Sequence, residues 1–257
     1  MGTKLMPSYA WSALSVAVFI ILWQAASTWL VDPMFLPTPV AVFNGATQML
    51  SEGVLTQSVL VSMTRILSGW LIGSALAIPI GLAVGVSPVA RHLVDPFIHF
   101  FRFVPAIALV TLFIIWFGVG EMSKIILIAY ATAFIVMVNT ASGVSAIAQD
   151  KLNAARCLGA NRSQVFFRVM MPASLPSIYV GMRLALASSF LVIAAAEMLA
   201  AEAGLGYVIW TSRLYFQVDW MFAAIIALGL LGFATDRLWR LLGRTLFKRY
   251  LRGVTGY

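Results

Sequence analysis

The chain has 257 residues, of which 61% are hydrophobic and 10% are charged. Because a soluble domain carries about 25% charged residues, this composition excludes a soluble globular protein and indicates an integral membrane protein. The formal net charge is +8, but no module of basic and aromatic residues accompanies it, so we expect no nucleic-acid partner. A single domain spanning residues 1–257 accounts for the length.

Six apolar stretches predict an all-α, polytopic membrane bundle, since about 20 apolar residues cross the hydrocarbon core as one helix. The predicted spans are residues 11–30, 66–90, 97–118, 125–149, 178–200 and 220–235. The first stretch could also be the core of a cleaved signal peptide, but it is longer than a usual signal core and lacks a clear Ala-x-Ala site. We therefore expect it to remain as a membrane helix.

The second predicted span carries two small-xxx-small patterns, which let helices approach closely. Its four glycines are Gly69, Gly73, Gly81 and Gly85. Before this span, the apolar spacing over residues 40–50 predicts a short amphipathic helix at the membrane surface. After it, residues 86–96 are predicted to form a short polar turn.

The longest polar interval lies between the fourth and fifth predicted spans, over residues 150–168. Its charges and turn backbone exclude it from hydrocarbon, so it lies at one membrane face. Apolar residues at helical spacing predict a short helix that ends at Gly159 in a left-handed backbone conformation. A second short helix over residues 161–170 is predicted to end at Pro172 and Pro176.

The same loop resembles the cytoplasmic EAA loop of permease subunits of bacterial ATP-binding-cassette (ABC) importers. The matching spacing is Ala-Ala-x3-Gly-x9-Val-x-Met-Pro over residues 154–172, and Asn153 stands where the family has the glutamate that names the motif. The effect of that asparagine is open. Further matches, to the branch for sulfonates, nitrate and taurine, are at residues 36–39, 101–105, 116–120, 196–199 and 204–207.

This resemblance implies a six-helix, type I (MetI-like) permease in a bacterial inner membrane. Its implied partners are a second permease copy, expected to be identical, an ABC ATPase dimer and an external solute-binding protein. ATP and Mg²⁺ would be bound by the ATPase, and no cofactor by this chain. The solute would be a small anion such as a sulfonate, taurine, nitrate or bicarbonate, although a neutral heterocycle or an aromatic carboxylate remains open.

The resemblance also implies that the loop over residues 150–172 couples the permease to the ATPase. The implied coupling residues are Asn153, Ala154, Ala155, Leu158, Gly159 and Pro172. The face formed by Leu152, Ala155 and Leu158 is expected to enter a groove of the ATPase. The alternative is an amphipathic loop that merely links two membrane helices.

The distribution of basic residues predicts that both termini lie in the cytosol. With the polar loop inside, fourteen lysines and arginines lie on the inner side and three on the outer side, as the positive-inside rule requires. The outer three are Arg65, Lys124 and Arg213. The inner set includes four residues close to the two termini: Lys4, Lys248, Arg249 and Arg252.

The sequence carries no motif for nucleotide binding or catalysis. No Gly-x4-Gly-Lys-Ser/Thr loop occurs, so ATP would have to be bound by another subunit, and the common hydrolase signatures are missing. His92 and His99 have too few further ligands nearby to predict a metal site. The sequence therefore predicts a transport subunit rather than an enzyme.

Ionisable residues inside predicted spans are candidates for the solute pathway. Arg102 and Glu197 qualify, with Asn139 and Thr140 as polar neighbours. Arg102 could instead snorkel to the interface, and Glu197 could brace the outer loop through Arg213. A secondary transporter is the main alternative function, but such a protein usually has two repeated halves and several buried acids.

Overall fold

The computed structural model describes residues 8–246; residues 1–7 and 247–257, with the predicted inner charges Lys4, Lys248, Arg249 and Arg252, lie outside the described part. Within that part the chain is helical and contains no strand. The helices are α1 (Ser8–Ala25), α2 (Pro39–Ser51), α3 (Val54–Val86), α4 (Pro88–Phe101), α5 (Val110–Phe117), α6 (Glu121–Ser145), α7 (Gln149–Cys157), α8 (Arg162–Val165), α9 (Met171–Ala200), α10 (Leu205–Leu214) and α11 (Val218–Leu246).

Among residues 8–246, five helices are long and apolar enough to cross a membrane, and a sixth crossing is formed if one bent pair counts as a single span. The bent pair is α4 and the segment Ala106–Phe117, which consists of one 3₁₀ turn followed by α5. The two segments meet at 85°. Residues 102–105 are unwound at this bend, and Pro105 supplies no backbone N–H. The predicted third span therefore exists as a broken helix.

The predicted polar turn over residues 86–96 is wrong, because α4 already begins at Pro88. Ser87 is the N-cap of this helix, and its hydroxyl accepts a hydrogen bond from the Ala90 N–H at 3.3 Å. A serine followed by proline is a typical helix start, since proline at the first position lacks only an N–H that would be unpaired anyway.

The centre of the bundle is a layer in which α6 packs between α3 and α9. The predicted close packing of the α3 glycines is confirmed, because all four face α6. A Cβ at Gly69 would lie 2.6 Å from Ile128 Cβ, and one at Gly85 would lie 2.5 Å from Val144 Cβ. The α3 and α6 backbones can approach this closely only because these side chains are absent.

The predicted surface helix over residues 40–50 is confirmed as α2, with Thr38 as its N-cap. It packs against α11 and α3, and it shares a small apolar cluster with α10 and α11 that includes Met49 and Leu205. By contrast, α1 is largely exposed within the described chain. Its Trp23 Nε1 donates a hydrogen bond at 3.0 Å to the Pro37 carbonyl, in the segment that leads into α2.

Pro172 and Pro176 do not end a helix, contrary to the prediction, and both lie in the first turns of α9. A π-helical segment, Phe166–Met170, joins α8 to α9 without a break. Both prolines therefore lie inside a continuous helical run rather than at its end. Membrane helices accommodate interior prolines such as Pro176 because neighbouring groups satisfy the freed carbonyls.

Candidate functional site

The loop helix α7 ends in a glycine turn that the sequence predicts correctly. Gly159 has φ = +81°, the left-handed conformation in which a side chain is strained. The Gly159 N–H donates to the Arg156 carbonyl at 2.9 Å, and the Ala160 N–H donates to the Ala155 carbonyl at 3.1 Å. This pair of hydrogen bonds is a Schellman motif, which fixes how α7 ends.

The chain resumes as a helix two residues later through a capping box. The Asn161 side chain accepts a hydrogen bond from the Gln164 N–H at 2.8 Å, and the Gln164 side chain accepts one from the Asn161 N–H at 2.9 Å. Because both ends of the turn are capped, α7 is held in a defined orientation against α8 and the Phe166–Met170 segment.

The exposed surface of α7 differs from the predicted one. Leu158 is 89% exposed, whereas Leu152 is only 8% exposed and packs within the chain. Asn153 and Ala154 are exposed, and Ala155 is half-buried. The face of α7 available to a partner therefore contains Asn153, Ala154 and Leu158, and the prediction that Leu152 belongs to it is wrong.

A cavity of about 540 Å³ lies at the bend of the broken third span. Its walls come from residues 101–107, one face of α6 and one face of α9. Most of the lining is aromatic or aliphatic. Its polar side chains are Arg102, Tyr130, Asn139 and Ser188.

Two of the four predicted pathway residues, Arg102 and Asn139, line this cavity. The Arg102 guanidinium lies over the Phe103 ring, 4.7 Å from its centroid, and no carboxylate of residues 8–246 pairs with it. The Asn139 side chain donates from Nδ2 to the Ile135 carbonyl at 2.8 Å. The cavity thus presents one unpaired cation and several uncharged polar groups.

Thr140 does not line the cavity. It is completely buried, and its hydroxyl donates to the Val136 carbonyl at 2.7 Å. It faces α3, because a Cβ at Gly81 would lie 2.7 Å from Thr140 Cβ. Thr140 therefore belongs to the packing between α3 and α6.

Glu197 also lies away from the cavity, in a polar cluster that we call the Arg65 cluster. It consists of the buried residues Ser62, Arg65 and Glu197, with the exposed Glu121 at its edge. Arg65 Nη1 donates to Glu197 Oε1 at 2.8 Å, and Arg65 Nε donates to Glu121 Oε2 at 2.5 Å. Ser62 Oγ donates to the Glu197 carboxylate. Arg65 and Glu197 are 3% and 0% exposed, so each is a buried charge that depends on its partner.

The Arg65 cluster also holds the turn between α9 and α10. Glu197 Oε2 accepts from the Gly206 N–H at 2.9 Å, and Arg65 Nη1 donates to the Ala203 carbonyl at 2.7 Å. Gly204 has φ = +123°, and a Cβ there would lie 2.6 Å from Glu197 Oε2, so only glycine lets this turn close over the carboxylate.

The suggested pairing of Glu197 with Arg213 is wrong, because Arg213 stacks on Trp210 at 5.3 Å and Glu197 pairs with Arg65. Sequence reasoning missed Arg65 because it placed the start of the second span at residue 66, whereas α3 begins at Val54. A signal was available: Arg65 lies four residues before Gly69, on the same helix face as the glycines.

Comparisons with known proteins agree on one family. Residues 75–248 match the family described as "Binding-protein-dependent transport system inner membrane component". A probable ABC transporter permease protein of Brucella melitensis is 39% identical over 225 residues, covering 88% of this chain and 91% of the relative. The taurine transport system permease protein of Escherichia coli is 34% identical over 238 residues, covering 90% and 86%.

A solved structure shares the fold. The inward-facing MetNI methionine ABC transporter matches 75% of this chain and 97% of the compared chain, with a TM-score of 0.66 and 19% sequence identity. This match confirms the predicted MetI-like architecture.

Proposed function

Because the chain belongs to the family of inner-membrane components of binding-protein-dependent transport systems, and is a permease subunit of an ABC importer, we propose that the loop over residues 150–172 couples a partner ATPase to the cavity. This loop contains α7, and we call it the α7 loop. The observation that carries this proposal is the connection of α7 to the cavity walls. The preceding helix α6 and the following helix α9 both line the cavity. A displacement of α7 would therefore move two cavity walls together.

The proposed partners follow from this coupling role. Two ATPase subunits would bind ATP and Mg²⁺, a second and identical permease copy would complete the pathway, and an external solute-binding protein would deliver the solute. The exposed surface of Asn153, Ala154 and Leu158 is a suitable contact for the ATPase, since an 89% exposed leucine at the end of a rigid helix is free to be covered. Asn153 would replace the family glutamate there as an uncharged hydrogen-bonding group.

The proposed solute is a small anion such as taurine, another sulfonate, nitrate or bicarbonate. Among the side chains that line the cavity, Arg102 is the charged one, and no carboxylate of residues 8–246 neutralises it. A guanidinium binds planar or tetrahedral oxyanions well, because its N–H donors match their oxygens. Asn139 and Ser188 would add uncharged hydrogen bonds.

Arg102→Gln is expected to lower taurine uptake by about tenfold or more, the effect of losing a hydrogen bond to a charged group. Uptake is measured in vesicles that contain the permease, its ATPase and its solute-binding protein, with and without ATP. Arg213→Gln is the matched control, because Arg213 is an arginine outside the cavity that stacks on Trp210. Unchanged ATP-dependent uptake by the Arg102 variant would remove this residue from the pathway. If the parent shows no ATP-dependent uptake of any of the four proposed solutes, the anion assignment is refuted.

We expect both termini to lie in the cytosol, because the α7 loop and the C-terminal tail hold most of the basic residues. A fluorescent protein that folds only in the cytosol, fused after Tyr257, should fluoresce, and alkaline phosphatase fused there should be inactive. The opposite pair of results would invert the proposed topology.

A further inference from the structure

A second and smaller pocket lies between α4 and α6, beyond the end of the cavity that is nearer to the α7 loop. We call it the α4/α6 pocket; its volume is about 220 Å³. Its polar lining consists of Arg91, Asp95, His99, Ser142 and Ser145. None of these residues has a role in the proposed coupling loop or in the cavity.

The pocket and the cavity share one wall. Along α6, the cavity is lined at positions 130, 131, 134, 135, 138 and 139, and the pocket at positions 138, 141, 142 and 145. Steps of three and four residues keep these positions on one helix face. Val138 belongs to both spaces, and the stripe ends four residues before α7 begins at Gln149. The two spaces therefore lie one after the other along the same face of α6.

The opposite wall, formed by α4 and the residue after it, carries two arginines along the same direction, Arg91 and Arg102. Arg91 and Asp95 lie four residues apart on one face of α4, with His99 one turn further along. Arg102, the C-cap residue of this helix, follows Arg91 by eleven residues, which correspond to about 16 Å along a helix axis. An anion that leaves Arg102 toward the α7 loop would thus meet a second arginine about three helical turns away.

Arg91 remains available to a ligand. One of its N–H groups donates to Ser145 Oγ, which ties the start of α4 to the end of α6. Within residues 8–246, no carboxylate forms an ion pair with Arg91 or His99, although Asp95 lines the same pocket. Ser142 and Ser145 are exposed hydroxyl groups, which can donate hydrogen bonds to oxyanion oxygens.

We propose that the α4/α6 pocket is a second binding subsite for a small oxyanion of the sulfonate or carboxylate class, occupied after the anion leaves the cavity. The inference rests on the proposed anion transport for its role in the pathway. The affinity of the pocket for anions is a separate property, because it depends only on the charges and hydroxyl groups that line it. Arg91 would supply the charge, and Ser142 and Ser145 would supply further hydrogen bonds.

The test uses a cysteine as a reporter inside the pocket. Cys157, the single native cysteine, is replaced by serine, and Ser142→Cys is introduced into the full chain in nanodiscs. The rate of modification is measured with two methanethiosulfonates of similar size, one carrying an ethanesulfonate group and one carrying a trimethylammonium group. The reference site is Ser51→Cys, which is exposed at the end of α2. At each site, the rate with the sulfonate reagent is divided by the rate with the trimethylammonium reagent, and the ratio at position 142 is then compared with the ratio at position 51.

The expected result is a preference of about tenfold for the sulfonate reagent at position 142, the effect of one charge close to the thiol. Arg91→Gln should remove most of this preference, Arg91→Lys should keep it, and Asp95→Asn should increase it. A ratio equal to that at position 51, or one that Arg91→Gln leaves unchanged, would overturn the proposal. Transport is not needed for this measurement, so failure of the anion-import assignment would appear in the uptake assay alone.

Discussion

Gly159→Val is expected to abolish solute uptake while leaving the chain in the membrane. A Cβ at this position would meet nothing within 4 Å, and the residue has φ = +81°, so the expected penalty comes from backbone strain rather than from a Cβ clash. For a β-branched residue this strain is at least about 1–2 kcal/mol. Because the Schellman motif depends on this conformation, α7 would end differently and Leu158 would leave its present position.

The control for this prediction is Gly53→Val. Gly53 has φ = +77°, and a Cβ added there would also meet nothing within 4 Å, but this residue lies between α2 and α3, away from α7. The two variants therefore carry the same local strain, and only the position of the strain differs. Gly159→Asn is a second control, because asparagine tolerates the left-handed region better than valine.

Co-purification of the ATPase and uptake in vesicles are the two measurements. Gly159→Val should lose both, Gly53→Val should keep the ATPase, and Gly159→Asn should keep part of the uptake. Ala155→Trp should resemble Gly159→Val, since Ala155 is half-buried at the turn and its carbonyl accepts the Ala160 N–H. If Gly159→Val and Ala155→Trp both transport like the parent with the ATPase retained, α7 is an ordinary linker.

Glu197→Ala is expected to destabilise the folded chain by about 3–5 kcal/mol, the effect of removing one partner from a buried ion pair. Arg65 would remain 3% exposed, and its Nη1 group would keep only the Ala203 carbonyl and lose its charged partner. Glu121 cannot compensate fully, because it pairs with the other side of the guanidinium and is itself 59% exposed. The Gly206 N–H would lose its acceptor as well.

Asp236→Ala is the matched control, since Asp236 forms ion pairs with Arg183 and Arg240 in a more exposed setting, with 31% of its side chain exposed. Exposed pairs contribute about 0–1 kcal/mol, so this variant should unfold close to the parent. The measurement is thermal unfolding of the purified chain in one detergent. Equal shifts in Tm for the two variants would show that burial of the Arg65 cluster has no special weight. Arg65→Met combined with Glu197→Met should recover part of the loss, because no buried charge is left unpaired.

The Gly159 turn and the Arg65 cluster differ in how far they could be predicted. The glycine turn was predictable, because a left-handed helix end is a local property of a few consecutive residues. The close packing at Gly69 and Gly85 was predictable for a similar reason, since the spacing of small residues determines which helix face can be approached. The partner of that face, α6, was not.

The membrane class, the number of apolar segments, the polar loop and its glycine turn all follow from the amino-acid sequence alone, because hydrophobicity, helix propensity and turn preference act within one segment. The pairing of Glu197 with Arg65, 132 positions away, required the tertiary structure, as did the burial of Leu152 beside an exposed Leu158. The same holds for Asn139, which lines the cavity while its neighbour Thr140 faces α3. The physical reason is that a polar or apolar side chain specifies what kind of partner it needs, whereas the choice among distant partners is made by how the helices pack.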